Sequence, residues 1–131
     1  MRKMRVIVFA GEAIGQKVAD SLVKEGISVA SAADGIAVVN MLRQEKFDVA
    51  LVDSLADGVG VACCCISKLF KIPVILLVNE SDVDWKRLQL LEPHGYIYEG
   101  TGGAEMAARL WAVMRRQMEQ VGNCWARGCQ T

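Results

Sequence analysis

The apolar runs Val6–Ala10, Val49–Val52 and Val74–Val78 are unbroken, and each is followed, past a short polar stretch, by a segment patterned for a helix. This alternation constrains the chain more than any other feature. A short run apolar at every position reads as a strand covered on both faces, because a strand with one wet face alternates apolar and polar residues. A helix buries one stripe, so its apolar residues recur every three or four positions, as Ile14, Val18 and Leu22 do, with Val23 beside them. Strands buried on both sides and separated by helices imply a parallel sheet between two helical layers, joined by right-handed crossovers.

Along the chain the pattern repeats five times. Arg5–Ala10 is a strand, and its helix stops at Gly26. Strand 27–31 precedes a helix that Asp34 caps and that carries Ile36, Val39, Met41 and Leu42. Strand 47–52 ends at Asp53. A turn through Asp57, Gly58 and Gly60 leads to a short apolar helix reaching about Phe70. Strand 73–78 precedes a helix from about Asp84 to Leu91, and Gly95–Tyr98 is a short fifth strand. Thr101–Gly103 opens the last helix, in which Met106, Leu110, Met114, Met118 and Val121 recur at helical intervals while Trp111 and Val113 widen the face. The fold class expected is α/β: a doubly wound, five-stranded parallel sheet in a three-layer α/β/α sandwich. Residues 1–121 are expected to form the domain and 122–131 a tail.

At 131 residues the chain has room for one core, and 53% apolar against 23% charged residues marks a globular protein and not a disordered one. Lysine plus arginine and aspartate plus glutamate each number 15. That balance leaves no field to draw the domain to nucleic acid or to an anionic membrane. The apolar runs fall well short of the roughly 20 residues a membrane helix needs, and Met1-Arg2-Lys3 has no long apolar segment behind it. A cytoplasmic location is expected, with neither nucleic acid nor a membrane as partner. Five cysteines make no disulfide framework in a domain with a core of its own, so reduced thiols are expected.

In such folds sites gather at the carboxyl ends of the strands, which singles out Asp53. The segment 29–35 with the helix after it, the run from Phe47 to Asp53, the run 72–78 and Gly95-Tyr96-Ile97-Tyr98 together resemble a response-regulator receiver domain over roughly residues 4–119. The resemblance implies a flavodoxin-like sandwich, a role in two-component signalling and no enzyme activity of the domain's own. It also implies that Asp53 takes a phosphoryl group from a histidine kinase, with Mg2+ needed only for that step, since a divalent ion offsets the charge that phosphoryl transfer concentrates.

The positions that support the aspartate in that family differ here. An acidic pair at the end of the first strand maps onto Ala10 and Gly11, with Glu12 just beyond. The hydroxyl residue ending the fourth strand maps onto Val78, and the lysine after the fifth maps onto Glu99, which reverses the sign of the charge. These departures favour a degenerate receiver, in which Asp53 caps the turn after it, over a working phosphoacceptor. Glu12 reads as a glutamate at a helix start, where the helix dipole suits it. A weak metal reading takes Asp53 and Glu12, with Glu99 as a third carboxylate.

The remaining expectations concern partners. Receivers commonly pair through the fourth helix, fifth strand and fifth helix, and Trp85, Tyr98, Trp111 and Met114 are the residues expected on such a face, whether toward a second copy, a kinase or an output domain. Cys63, Cys64 and Cys65 point in successive directions around a helix and read as small core residues. Cys124 and Cys129 would need His94 or another chain to hold zinc. Gly11 and Gly15 suggest a dinucleotide-binding turn only faintly, since no acid ends the second strand; a Rossmann-like nucleotide binder is the third functional class.

Overall fold

The computed structural model of the protein describes residues 3–126, with side chains as far as Gln117. Five parallel strands form one sheet in the order β2-β1-β3-β4-β5. The strands are β1 (Arg5–Phe9), β2 (Ser28–Ala32), β3 (Val49–Asp53), β4 (Val74–Val78) and β5 (Gly95–Tyr98). The helices are α1 (Glu12–Val23), α2 (Gly35–Gln44), α3 (Val59–Cys64), α4 (Trp85–Gln89) and α5 (Gly103–Ala126). A π-helical turn, Cys65–Leu69, continues α3.

The three central strands are the three unbroken apolar runs, and β3 and β4 are buried at every residue. Side chains alternate across the sheet, so each strand feeds two cores. Leu76 and Val78 pack with Val38 and Leu42 of α2, Ala62 and Ile66 of the third helix and Leu88 of α4. Ile75 and Leu77 pack on the opposite face with Val18 and Leu22 of α1 and Met106, Leu110 and Val113 of α5. Cutting a side chain such as Leu76, fully excluded from solvent, to alanine would cost about 2–5 kcal/mol.

Local chemistry sets the helix ends. The Asp34 carboxylate accepts from the Ala37 N–H at 2.8 Å, and Asp84 accepts from the Arg87 N–H at 3.2 Å. Gly26, with φ of 79°, closes α1: its N–H donates to the Val23 carbonyl, and the Ile27 N–H donates to that of Leu22. At the start of α5, a Cβ on Gly103 would stand 2.7 Å from the Ser21 carbonyl oxygen, so only glycine lets α5 approach the end of α1 this closely.

Four expectations change. Val38 and Leu42 face inward from α2, and Ile36, two positions and about 200° from Val38, points out and is 77% exposed. Of the three neighbouring cysteines only Cys63 is core; Cys64 is exposed and Cys65 half-buried. The fourth helix is shorter, Trp85–Gln89. The last helix continues beyond residue 121 to Ala126, into the stretch read as a tail. The side chains of Met118, Val121 and Cys124, and Cys129 altogether, lie outside the described residues. Among the described residues, no helix is long and apolar enough to cross a membrane.

Candidate functional site

The parallel register brings the ends of β1, β3 and β4 to one edge: Phe9 lies beside Val52, and Asp53 beside Leu77. Asp53 closes β3 there, 8% exposed. One of its carboxylate oxygens accepts from the Leu55 N–H at 3.0 Å, and its backbone carbonyl accepts from the Ala56 N–H at 3.0 Å. The carboxylate therefore closes the turn that leads to α3. Ser54, also buried, donates its N–H to the Leu77 carbonyl and accepts at its own carbonyl from Arg87 of α4, at 2.6 Å.

Around this aspartate the edge is apolar or turned away. Ala10 is buried and donates its N–H to the Ala32 carbonyl. Gly11 stands at the start of α1, where Glu12 is exposed in the first turn. Val78 is fully excluded from solvent. Asn79, next to it, uses its side-chain oxygen on the Ser81 N–H and hydroxyl, at 3.0 and 2.7 Å. Glu99 is half-buried and lines a separate cavity of about 500 Å³ with Asn79, Glu80, Tyr98, Glu105 and Arg109. A smaller one, about 240 Å³, lies among Ser54, Leu55, Asp82, Asp84, Arg87 and Leu88.

No protein-family model matches the chain. A probable transcriptional regulator, ycf27, of Guillardia theta is 33% identical over 119 residues, which is 87% of this chain and 46% of that protein. The chain thus spans about half the length of the relative it matches. The signal receiver domain of a modulated diguanylate cyclase from Desulfovibrio desulfuricans superposes with a TM-score of 0.81 at 16% identity, covering 91% of this chain and 99% of that one. A CheY-like response-regulator receiver domain from Methanospirillum hungatei gives 0.78 at 16%, with the same coverage.

The chain has the fold of response-regulator receiver domains.

A receiver's phosphoryl chemistry rests on a divalent ion, so the donors at this edge decide whether one fits. Asp53 supplies carboxylate oxygens, but Ala10 and Gly11 have no side-chain oxygen to add. Among the described residues no three or more His, Cys, Asp and Glu side chains come together as a ligand group, so Glu12, Asp53 and Glu99 do not assemble one.

The receiver's expected interface residues fall on both helical layers. Trp85 of α4, 43% exposed, sets its ring edge-on to Tyr96 of β5, with centroids 5.2 Å apart at 83°. Tyr98 is exposed farther along the same strand. Trp111 and Met114 of α5 are half-buried against the core on the opposite face. The edge strand β5 is where the two groups adjoin. Two residues were missed from sequence: Tyr96, which holds Trp85, and Arg87, whose reach to Ser54 leaves no local pattern.

Proposed function

We propose that the domain is a degenerate receiver of two-component signalling, a pseudo-receiver that acts by binding and not by a strong phosphorylation switch. One observation carries the reading: Asp53 is buried with a carboxylate oxygen already engaged by the Leu55 N–H, while Ala10, Gly11, Val78 and Glu99 stand where its helpers would be. With Glu99 at the position of the family's lysine, no cation from there would offset the charge of an acyl phosphate.

The binding role rests on the exposed aromatics beside the fifth strand, Trp85 and Tyr98, with Trp111 and Met114 across it. Such residues favour a protein partner: a second copy paired through α4, β5 and α5, a histidine kinase or an output domain in the cytoplasm. No activity of the domain's own and no cofactor enter this reading.

The test is to incubate the domain with magnesium and acetyl phosphate or beryllofluoride, following mass and amide shifts. The expected result is no stoichiometric adduct. An adduct lost in Asp53→Ala would establish a working phosphoacceptor instead. Mass in solution, compared between the protein and Trp111→Ala, reads the dimer.

A further inference from the structure

Ile36 and Val61 are large apolar side chains that folding leaves 77% and 71% exposed. Both line one groove, about 800 Å³, between α2 and α3. Its α2 wall is Ile36, Val39 and Arg43, one stripe at helical spacing. Its other wall combines Val61 and Ala62 of α3 with Cys65 and Ile66 of the turn that continues it.

The groove has a polarity fixed by the fold. Both helices start at the carboxyl edge of the sheet, so Asp34, the cap of α2, and Asp57, just before the cap of α3, make that end acidic. Arg43, in the last turn of α2, makes the other end basic. Among the described residues neither Asp57 nor Arg43 has a salt-bridge partner.

The walls also restrict what can lie between them. Both are helices, whose backbone donors and acceptors are bonded internally, so an extended peptide would find no strand edge to pair with and would bury unsatisfied amides. An occupant that satisfies its own backbone avoids that cost. The stripe from Ile36 to Arg43 rises about 10 Å, or two turns, which matches apolar side chains at i, i+3 or i+4 and i+7 of a facing helix. Acidic residues suit a helix's first turn and basic residues its last, so charge matching places the occupant's start at Arg43 and its end at Asp34 and Asp57.

We propose that this groove receives an amphipathic α-helix of a protein partner, lying antiparallel to α2, acidic in its first turn and basic in its last. The site is separate from the dimer face: no residue is shared with Trp85, Tyr98, Trp111 or Met114.

The probe is a synthetic helical peptide of roughly fifteen residues with leucines at that spacing, glutamates first and lysines last, beside a twin with the charged ends exchanged. Amide shifts of the full chain should move saturably on α2 and α3, and Val61→Asp should abolish them with the melting temperature unchanged, since Val61 is exposed. The twin should bind about 2–5-fold more weakly, the range exposed ion pairs allow, and Arg43→Glu should remove that difference. Absence of shifts, shifts confined to α4, β5 and α5, or affinity indifferent to Val61→Asp would overturn the proposal. Equal affinity for the two peptides would overturn the direction. A dimer that Val61→Asp converts to monomer would give the groove to a second copy and overturn the partner. Failure here leaves the pseudo-receiver reading intact, because that reading is decided by the adduct at Asp53.

Discussion

The Arg87 guanidinium donates to the carbonyl oxygen of Ser54 at 2.6 Å, joining two residues 33 apart in sequence. It ties α4 to the loop that follows Asp53. That loop is otherwise held by the Asp53 carboxylate on Leu55 and by the Ser54 N–H on Leu77.

Arg87→Ala leaves the carbonyl of a buried serine to be satisfied by water or not at all. Stability should fall by about 1–2 kcal/mol, toward the low end for a hydrogen bond to a charged group because this one is only partly buried. Hydrogen exchange should quicken at residues 54–58 more than elsewhere. Unchanged exchange there would show that the loop is held without α4.

Gly103→Ala puts a methyl group 2.7 Å from the Ser21 carbonyl oxygen. Backbone must give way, and a cost of about 1–3 kcal/mol is expected from overpacking. Gly100→Ala is the control, since nothing lies within 4 Å of a Cβ at that position. Chemical denaturation of the two variants gives the comparison; equal midpoints would mean that α5 shifts freely.

His94 accepts the Val74 N–H at its Nδ1, 3.1 Å away. Burial lowers its pKa from the ordinary 6.5, and the charge of Arg116 adds to the lowering. A histidine harder to protonate folded than unfolded contributes stability that is complete above the unfolded value and is lost as pH falls from there through the lower folded value. The melting temperature should therefore drop from about pH 7.5 to about pH 5.5, and by less in His94→Gln. Parallel profiles for the two proteins would rule out this histidine as a source of the drop.

Cys63 is 2% exposed, and burial pushes its thiol up to about 11, with the neighbouring Cys64 adding to the rise. Only thiolates alkylate quickly. Under native conditions at about pH 8, iodoacetamide should label Cys64 readily, Cys65 more slowly and Cys63 only after denaturation, as peptide mapping by mass would show. Native labelling of Cys63 would mean that α3 opens.

The sheet was legible because each central strand carries an unbroken apolar run, a pattern that burial on both faces demands and little else produces. Gly26 and Asp34 marked helix ends through chemistry that acts within a few residues. Asp53 stood out for the same reason, since the end of a strand can be read locally. What failed was rotation and reach. Ile36 and Cys64 were placed inward because composition says that a helix has an apolar face without saying which residue leads it. Arg87 and Tyr96 matter through contacts with Ser54 and Trp85 that only the crossovers create. The separation of Glu99 from Asp53 likewise depends on where β5 lies at the sheet's edge.

The length of α5 has a mechanical consequence. At 24 residues it extends about 36 Å beside strands of five residues, which extend about 17 Å, so it outruns the sheet it rests on. Among the described side chains of α5, those packed against the sheet run from Met106 to Met114. A rigid rod is a lever: turning it by about 10° about its first residue would swing the far end, about 34 Å away, by roughly 6 Å. The fulcrum is Gly103, pressed against Ser21.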